Sequence, residues 1–345
     1  MIYNQLGNTS LKVSRICLGT MTWGEQNTEP EALQQIDRAL ELGVNFIDTA
    51  EMYPVPPKAE SQGATEEAIG RWIRKRNRRD EIILASKVTG PSQHFTYLRN
   101  GPTLNRDHIR QAITDSLKRM STDYLDLYQV HWPQRETNYF GKLGYAGNEQ
   151  GAEISIAETL DALYELVDEG LVRYLGISNE TPWGVMQYLH YARTHNREPI
   201  VSIQNPYSLL NRTFEVGLSE MCLRENIGLL AYSPLAFGVL SGKYRHNAKP
   251  ARARLTLFNR FNRYSNPQAQ AATEQYCQLA QEHNIDPSQL ALAFVNSRPF
   301  VTSTLIGATT LQQLETNINS IELTLEPALL TEIDAIHTQQ PNPSP

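Results

Sequence analysis

Four polar residues stand where short apolar runs of the sequence end, and their types suit proton transfer. Asp48 ends the run VNFID and is followed five residues later by Tyr53, whereas Lys87 ends EIILASK and His131 ends YLDLYQVH. A tyrosine has a pKa of about 10, which a nearby ammonium group lowers by stabilising the phenolate. The set therefore predicts a tyrosine that delivers a proton to an oxygen as it becomes an alkoxide.

Such an alkoxide forms when hydride adds to a carbonyl, so the four residues fit carbonyl reduction with a nicotinamide as the hydride source. In this interpretation Tyr53 is the acid, Asp48 holds Lys87 and keeps it charged, and His131 orients the carbonyl oxygen. Each residue alone also has an ordinary structural explanation, such as a turn cap, a solvated lysine or a packed ring. The hypothesis therefore depends on all four lying together.

Eight short runs rich in Val, Ile, Leu and Tyr predict the strands that would position these side chains. They cover residues 16–19, 44–48, 81–87, 124–131, 171–177, 200–204, 228–232 and 302–306. Stretches with apolar residues three or four apart predict helices between them. These cover residues 30–42, 64–76, 106–119, 155–169, 182–195, 214–226, 267–298 (as two helices) and a last helix from residue 310.

Strict alternation of eight strands with helices predicts a (β/α)8 TIM barrel, capped by an N-terminal hairpin over residues 1–15. We expect one domain over residues 1–338 and a flexible tail over 339–345. A doubly wound sheet is the runner-up, but no GxGxxG follows the first strand. Three long loops follow strands, which predicts that they lie on the C-terminal face and hold substrate or cofactor. These loops are 54–63, 132–153 and 234–266.

The amino-acid composition of the chain argues against several classes of binding partner. The net charge of −6 over 345 residues argues against nucleic acid and acidic membrane surfaces. Cys17, Cys222 and Cys277 are scattered without a CxxC pair, so neither a disulfide framework nor a metal site is predicted. The N-terminus is too polar for a signal peptide, and no apolar stretch approaches the ~20 residues of a membrane helix. We expect a cytoplasmic protein, with homo-oligomer formation left open.

The ends of the later strands carry groups suited to a flat cofactor and its phosphates. The pair Ser178–Asn179 follows the fifth strand, and Gln204 ends the sixth. Tyr232 ends the seventh strand, where its ring could stack on a heterocycle. The segment SPLAFGVLSGK is rich in small residues and ends in Lys243. Its backbone N–H groups and this lysine could hold a pyrophosphate.

Long motifs carry a family resemblance. GVNFIDTAEMY at residues 43–53 with the downstream Gly70, and MSTDYLDLYQVHWP at residues 120–133, match the two signatures of the aldo-keto reductases. TAEMYPVPP, DLYQVHWPQR, NPYSLLNR and AYSPLAFGVLSGKY resemble the Tas-like bacterial members most closely. The resemblance covers nearly the whole chain and implies reduction of an aldehyde or ketone with NADP(H). It places the family's catalytic tetrad on the four residues above, with Tyr53 as the general acid.

The resemblance also implies which residues contact the cofactor. Ser178, Asn179 and Gln204 occupy positions that contact the nicotinamide amide in the family. Tyr232 occupies a position against the nicotinamide face, and residues 233–243 occupy those that contact the phosphates. The predicted cofactor set is Thr20, Met21, Asp48, Ser178, Asn179, Gln204, Tyr232, Ser233, Pro234, Leu235, Gly238, Leu240, Ser241, Gly242, Lys243, Arg254, Gly307, Gln313 and Asn317.

NADPH is favoured over NADH because Lys243 and Arg254 could hold the 2′-phosphate. Arg254 fits the family spacing better than Arg252. The adenine end is expected at residues 307–317, where Thr316 replaces an expected glutamate. The lysine–serine pair and the arginine of many relatives are also missing from this segment, which weakens one common source of NADPH preference.

Two other enzyme classes fit less well. A Schiff-base aldolase would need Lys87 with a depressed pKa, whereas Asp48 would keep it charged. A metal hydrolase is not supported, because the sequence contains no HExxH motif. The alternative function is a nicotinamide-binding accessory subunit with little turnover, since some relatives of the family serve ion channels in this way. Trp23 and Trp132 could wall an apolar substrate pocket, although simple packing explains them equally well.

Overall fold

The structure is a computed structural model that describes residues 1–147 and 154–345. Eight parallel strands close into a barrel in which each strand pairs with the next along the chain and the last pairs with the first. Helices separate the strands, and the predicted (β/α)8 barrel with its eight strands is therefore confirmed. A two-stranded antiparallel hairpin, β1 (Tyr3–Gln5) and β2 (Lys12–Ser14), precedes the barrel. The barrel strands are β3 (Ile16–Gly19), β4 (Phe46–Asp48), β5 (Ile83–Val88), β6 (Leu125–Val130), β7 (Val172–Ser178), β8 (Ser202–Pro206), β9 (Gly228–Tyr232) and β10 (Val301–Ile306).

The helices begin where the sequence supplies capping groups. Thr28 and Ser155 each form a capping box with the glutamate three residues on, which satisfies free N–H groups of the first turn. Asp286 caps the helix that starts at Pro287 and so produces the predicted break. The helices are α1 (Glu29–Glu41), α2 (Ala64–Arg76), α3 (Arg106–Met120), α4 (Ile156–Asp168), α5 (Pro182–Thr194), α6 (Leu218–Glu225), α7 (Arg254–Leu257), α8 (Pro267–Glu282), α9 (Pro287–Asn296), α10 (Leu311–Asn319) and α11 (Pro327–Gln339).

Two apolar layers hold the barrel together. The larger layer packs the outer faces of the strands against the helices. The smaller layer fills the barrel interior with side chains such as Cys17, Phe46 and Leu127, which alternate with outward-facing neighbours. Leu6 and Val13 of the hairpin segment join this inner layer, so the hairpin closes the barrel floor as predicted. The three cysteines are buried free thiols.

Two features in the second half of the chain differ from the sequence-based expectation. The helix predicted over 214–226 is shorter, because Gly217 separates a 3₁₀ turn from α6. The tail also makes defined contacts: Ser344 donates its backbone N–H to the carbonyl of Leu210 at 3.1 Å, and Asn266 donates to the carbonyl of Pro343 at 2.9 Å. The flexibility of residues 339–345 stays a prediction, and these contacts argue against it.

Candidate active site

The C-terminal ends of the strands surround a cavity of about 860 Å³. Parallel strands of a barrel all end at one rim, so side chains far apart in sequence meet there. Asp48 ends β4, Tyr53 follows it, and His131 comes directly after β6, and all three line the cavity. Lys87 lies within β5 behind them and is fully buried. The structure therefore brings the four predicted residues together.

Asp48 is held by donors on three strands. The ammonium of Lys87 forms an ion pair with its Oδ2 and also donates to the carbonyl of Thr49 at 2.8 Å. Gln129 and Gln204 donate from Nε2 to its Oδ1 at 3.0 and 2.9 Å. Both carboxylate oxygens are thus satisfied in a buried site, where an unpaired charge would be costly.

The pKa of Lys87 reflects two opposing effects. Burial lowers it, but the carboxylate of Asp48 and the phenol of Tyr53 raise it by more, so the net direction is upward. Lys87 therefore remains an ammonium group at neutral pH. This excludes the Schiff-base reading, which requires a neutral amine as the nucleophile.

Tyr53 lies between two of these groups. The Lys87 Nζ is 5.1 Å from the centroid of its ring, and the His131 ring meets it edge-on at 5.7 Å between centroids. Burial raises the pKa of Tyr53, and the nearby ammonium offsets only part of that rise. The net direction is opposite to the sequence-based expectation, because removal of the hydroxyl from water disfavours the phenolate more than one ammonium stabilises it. Tyr53 is accordingly a neutral phenol with a proton to give.

His131 is a neutral imidazole in this environment. Burial lowers its pKa far below the usual value, and the charge of Lys87 lowers it further. Its backbone is fixed on both sides, because its N–H donates to Val88 at 3.0 Å and its carbonyl accepts from Asn179 at 2.9 Å. The imidazole lines the cavity, where its one N–H can donate to a carbonyl oxygen without bringing in a further charge.

A hydrogen-bond network adjoins His131 on the next strands. The Oγ of Ser178 donates to the carbonyl of Gln204 at 2.7 Å, and the side-chain amide of Asn179 donates to this Oγ at 3.0 Å. The hydroxyl of Tyr232 donates to Oδ1 of Asn179 at 2.6 Å. These residues all line the cavity, so the four groups predicted to meet a nicotinamide share one face of it.

The segment after β9 winds along the cavity. Ser233, Phe237 and Gly238 have positive φ angles of 53°, 57° and 88°, so the chain turns back on itself. A Cβ placed at Gly238 would lie 2.8 Å from Nζ of Lys243, so a side chain there would displace the lysine. The glycine thus allows the lysine to reach the loop that was predicted to hold the phosphates.

Lys243 and Arg254 bring positive charge to this part of the cavity. Burial lowers the pKa of both, and Arg254 lowers that of Lys243 further. Within residues 1–147 and 154–345 neither forms an ion pair with a carboxylate. Arg252, by contrast, is exposed and pairs with Glu31 at 3.1 Å. The structure therefore places Arg254 rather than Arg252 on the cavity, and the contact of Arg254 with a 2′-phosphate stays a prediction.

The other predicted cofactor residues line the cavity with two exceptions. Leu240 is buried in the core, and Gly242 forms the end of the turn that contains it, so neither reaches the cavity wall. Their contact with the cofactor stays a prediction, and it would have to come from backbone N–H groups of the loop rather than from side chains. Gln313 and Asn317 do line the cavity; they also brace the loop before α10 through Thr309 at 2.9 Å and the carbonyl of Gly307 at 3.3 Å.

Only one of the two tryptophans that were predicted to wall the substrate pocket lines the cavity. Trp132 lines the cavity, whereas Trp23 is fully buried beneath it and donates from its indole to Gln35 at 3.1 Å. Trp23 is therefore a core residue, which corrects the sequence-based prediction. The loop sequence gives no sign of which way the indole points, and this one packs in the outer core layer beside Gln35 of α1.

Several residues of the site and of the cavity were not predicted. Gln129 of the site had a usable signal, because it is a polar residue next to the end of the buried strand that precedes His131. The loop side chains had none, since no periodicity marks them. They are Phe95, Tyr139, Phe140, Arg260 and Arg263. The part of the predicted loop 132–153 that covers 148–153 lies outside the described residues.

Residues 1–147 and 154–345 contain neither a metal-binding cluster nor a membrane-spanning helix. Among the described residues, no cluster of three or more His, Cys, Asp or Glu side chains is placed to bind a metal ion. No helix in that same part of the chain is both long and apolar enough to cross a bilayer.

The chain is similar to known proteins over nearly its whole length. Residues 15–338 match the model of the aldo/keto reductase family. The chain is 55% identical to protein tas of Escherichia coli K12, with all of both chains covered. It is 32% identical to the uncharacterized oxidoreductase YrpG of Bacillus subtilis, over 97% of this chain and 96% of the relative. It is also 30% identical to a probable voltage-gated potassium channel subunit beta of Arabidopsis thaliana, over 99% of this chain and 98% of that relative.

Proposed function

This chain belongs to the aldo/keto reductase family of oxidoreductases, and from that premise we propose that it reduces an aldehyde or ketone to an alcohol using NADPH. The observation that carries the proposal is the buried Asp48–Lys87 pair directly behind Tyr53 and His131 at the cavity wall. Four groups of complementary acidity meet there, as proton delivery to a carbonyl oxygen requires.

The charge of the cavity suits a dinucleotide phosphate. Two half-buried cations, Lys243 and Arg254, lack carboxylate partners among the described residues and would gain from an anion. The turns of residues 233–243 would hold the pyrophosphate, and Arg254 the 2′-phosphate. Ser178, Asn179 and Gln204 would bind the nicotinamide amide. When bound, the cofactor supplies the hydride.

The chain's own residues handle the proton. Tyr53 holds a hydroxyl proton and gives it to the substrate oxygen as negative charge develops on that atom. The charge of Lys87 stabilises the phenolate that remains, and Asp48 keeps the lysine in place. The neutral His131 donates a hydrogen bond to the same substrate oxygen and orients it.

A second candidate is a nicotinamide-binding accessory subunit with little turnover. It is supported by the likeness to the Arabidopsis protein, whose name describes a potassium channel subunit. The complete set of four residues favours turnover. We also propose a cytoplasmic protein with a single domain over residues 1–338; the oligomeric state is left open.

One titration distinguishes the two candidates. NADPH is added to the protein while tryptophan fluorescence is followed, and a panel of aldehydes and ketones is then screened for NADPH consumption at 340 nm. Quenching with carbonyl-dependent loss of NADPH is the expected result. Quenching without that loss would favour the accessory role, and no quenching at all would refute both.

A further inference from the structure

Four basic side chains line the cavity: Lys243 and Arg254, which are assigned to the cofactor phosphates, and Arg260 and Arg263, which are not. Among the described residues, Asp48 is the one acidic side chain on the wall, and it is already paired with Lys87. Neither Arg260 nor Arg263 forms an ion pair with a carboxylate of residues 1–147 or 154–345.

Arg254 and Arg263 both lie near the ring of Phe237 but differ in their other neighbours. The guanidinium of Arg254 lies 5.4 Å from the centroid of this ring, and its charge acts on Lys243. The guanidinium of Arg263 lies 6.0 Å from the same ring and interacts with the hydroxyl of Tyr232. Arg263 therefore contacts the residue that ends β9 and faces the predicted nicotinamide site.

A chain of ring contacts connects Arg263 to the proton donor. Tyr53 meets His131 at 5.7 Å between centroids, and His131 meets Trp132 at 5.0 Å. Trp132 meets Phe140 at 5.6 Å, and the Arg263 guanidinium lies 6.0 Å from the Phe140 ring. The proton donor and Arg263 are therefore connected by one continuous series of aromatic side chains.

We propose that Arg263, assisted by Arg260, binds a carboxylate of the substrate, so that the preferred substrate is an aldehyde or ketone with a flat apolar body and a carboxylate. This inference rests on the proposed reductase function. A guanidinium can pair with both oxygens of a carboxylate, and a partly buried site strengthens that pair relative to water. The aromatic wall of Phe95, Trp132 and Phe140 contacts the body of the same molecule.

The alternative is that Arg263 only packs the loops together. Its guanidinium contacts the rings of Phe140, Phe237 and Tyr264, and its Nε lies 3.0 Å from where a Cβ on Gly141 would be. A packing role would affect all substrates alike, whereas an anion-binding role would affect only those that carry the charge. The experiment is designed on this difference.

The test compares 4-carboxybenzaldehyde with its neutral methyl ester as substrates for NADPH-dependent reduction. The wild-type protein should have the higher kcat/KM for the carboxylate. Arg263→Gln should lower kcat/KM for the carboxylate by about 10- to 100-fold, the range for a lost charge-assisted hydrogen bond, and leave the ester within about two-fold. Arg260→Gln should have a smaller effect in the same direction, because this residue is exposed. Arg252→Gln, a matched control in the same loop, should change neither substrate.

Binding is measured separately so that the two proposals can fail separately. Benzoate should quench or shift the tryptophan fluorescence of the NADPH-treated protein, and benzamide should not, since it lacks the charge. Suppose that Arg263→Gln loses benzoate binding but that the wild-type protein reduces no aldehyde. This result would support the anion site and refute the proposed reductase function. An equal loss for carboxylate and ester, or benzoate binding unchanged in Arg263→Gln, would overturn the proposal. If Arg263→Gln does not fold, Arg263→Lys takes its place in the test. The lysine keeps the charge, so this variant should retain part of the carboxylate preference.

Discussion

Replacing Tyr53 with phenylalanine isolates the proton-transfer step, because it removes one hydroxyl and keeps the ring. The ring contacts to Lys87 and His131 at 5.1 and 5.7 Å remain, and the interaction that is lost is the one between the hydroxyl and the Lys87 ammonium. Lys87 keeps its bonds to Asp48 and to the carbonyl of Thr49, so its charge stays compensated. We therefore expect the free energy of unfolding to fall by no more than about 1.5–3 kcal/mol, the range for a hydrogen bond to a charged group.

The effect on turnover should be far larger. General acid catalysis by a positioned side chain contributes about 10²- to 10⁴-fold, so kcat of Tyr53→Phe should fall by at least that range. The NADPH affinity should stay within about three-fold, because Tyr53 is not among the predicted cofactor contacts. A stopped assay of NADPH consumption at saturating carbonyl, with fluorescence titration for binding, measures both quantities on one preparation.

A matched control comes from a second tyrosine near the cavity. The hydroxyl of Tyr97 is buried without a hydrogen-bond partner in the part of the chain that the structure describes, and Tyr97 does not line the cavity. Tyr97→Phe should therefore keep normal kcat and normal stability. If Tyr53→Phe turned over carbonyls at a rate close to that of Tyr97→Phe, the assignment of Tyr53 as the proton donor would be refuted.

Three further outcomes are expected. Arg254→Ala should weaken NADPH at least ten-fold more than NADH, with Arg252→Ala as control; equal losses for both cofactors would place the 2′-phosphate elsewhere. Gln129→Leu removes one of two amide donors to Asp48 and should lower the free energy of unfolding by about 1.5–3 kcal/mol in urea titrations; an unchanged midpoint would mean that this donor is dispensable. Because the pKa of His131 is depressed on folding, its contribution to stability is present above the unfolded value of about 6.5 and is lost as the pH falls below it. The wild-type stability should thus fall more steeply below pH 6.5 than that of His131→Gln, by up to about 1.4 kcal/mol per pH unit, and parallel curves would contradict this.

The barrel could be predicted from the sequence because its signals are local. Short β-branched runs alternate with helices whose starts carry their own capping groups, such as Thr28 and Asp286, and these patterns need no distant partner. The differences arise where distant contacts decide. The bonds of Ser344 and Asn266 bring the tail onto the barrel, and a polar, proline-rich segment gives no local sign of that docking.

The convergence of the four central residues could also be predicted, because parallel strands of a barrel must end at one rim. Position on a strand end is a property of the sequence, whereas the direction of a pKa shift depends on how deeply the group is buried. Tyr53 shows this difference, since its neighbour Lys87 was foreseen but the dominant effect of burial was not. Trp23 shows it as well, because only packing reveals that its ring turns into the core.

The sequence by itself determined the fold class, the order of the elements and the residue types available at the rim, since these depend on periodicity and on chain order. The tertiary structure decided which of those residues share the cavity and how each is charged. Arg254 faces the cavity while Arg252 pairs with Glu31, and Arg263, from a loop without any pattern, lies beside the Phe140 ring of the aromatic wall. Such contacts depend on where loops fold in space, and loop positions are set by packing against distant parts of the chain.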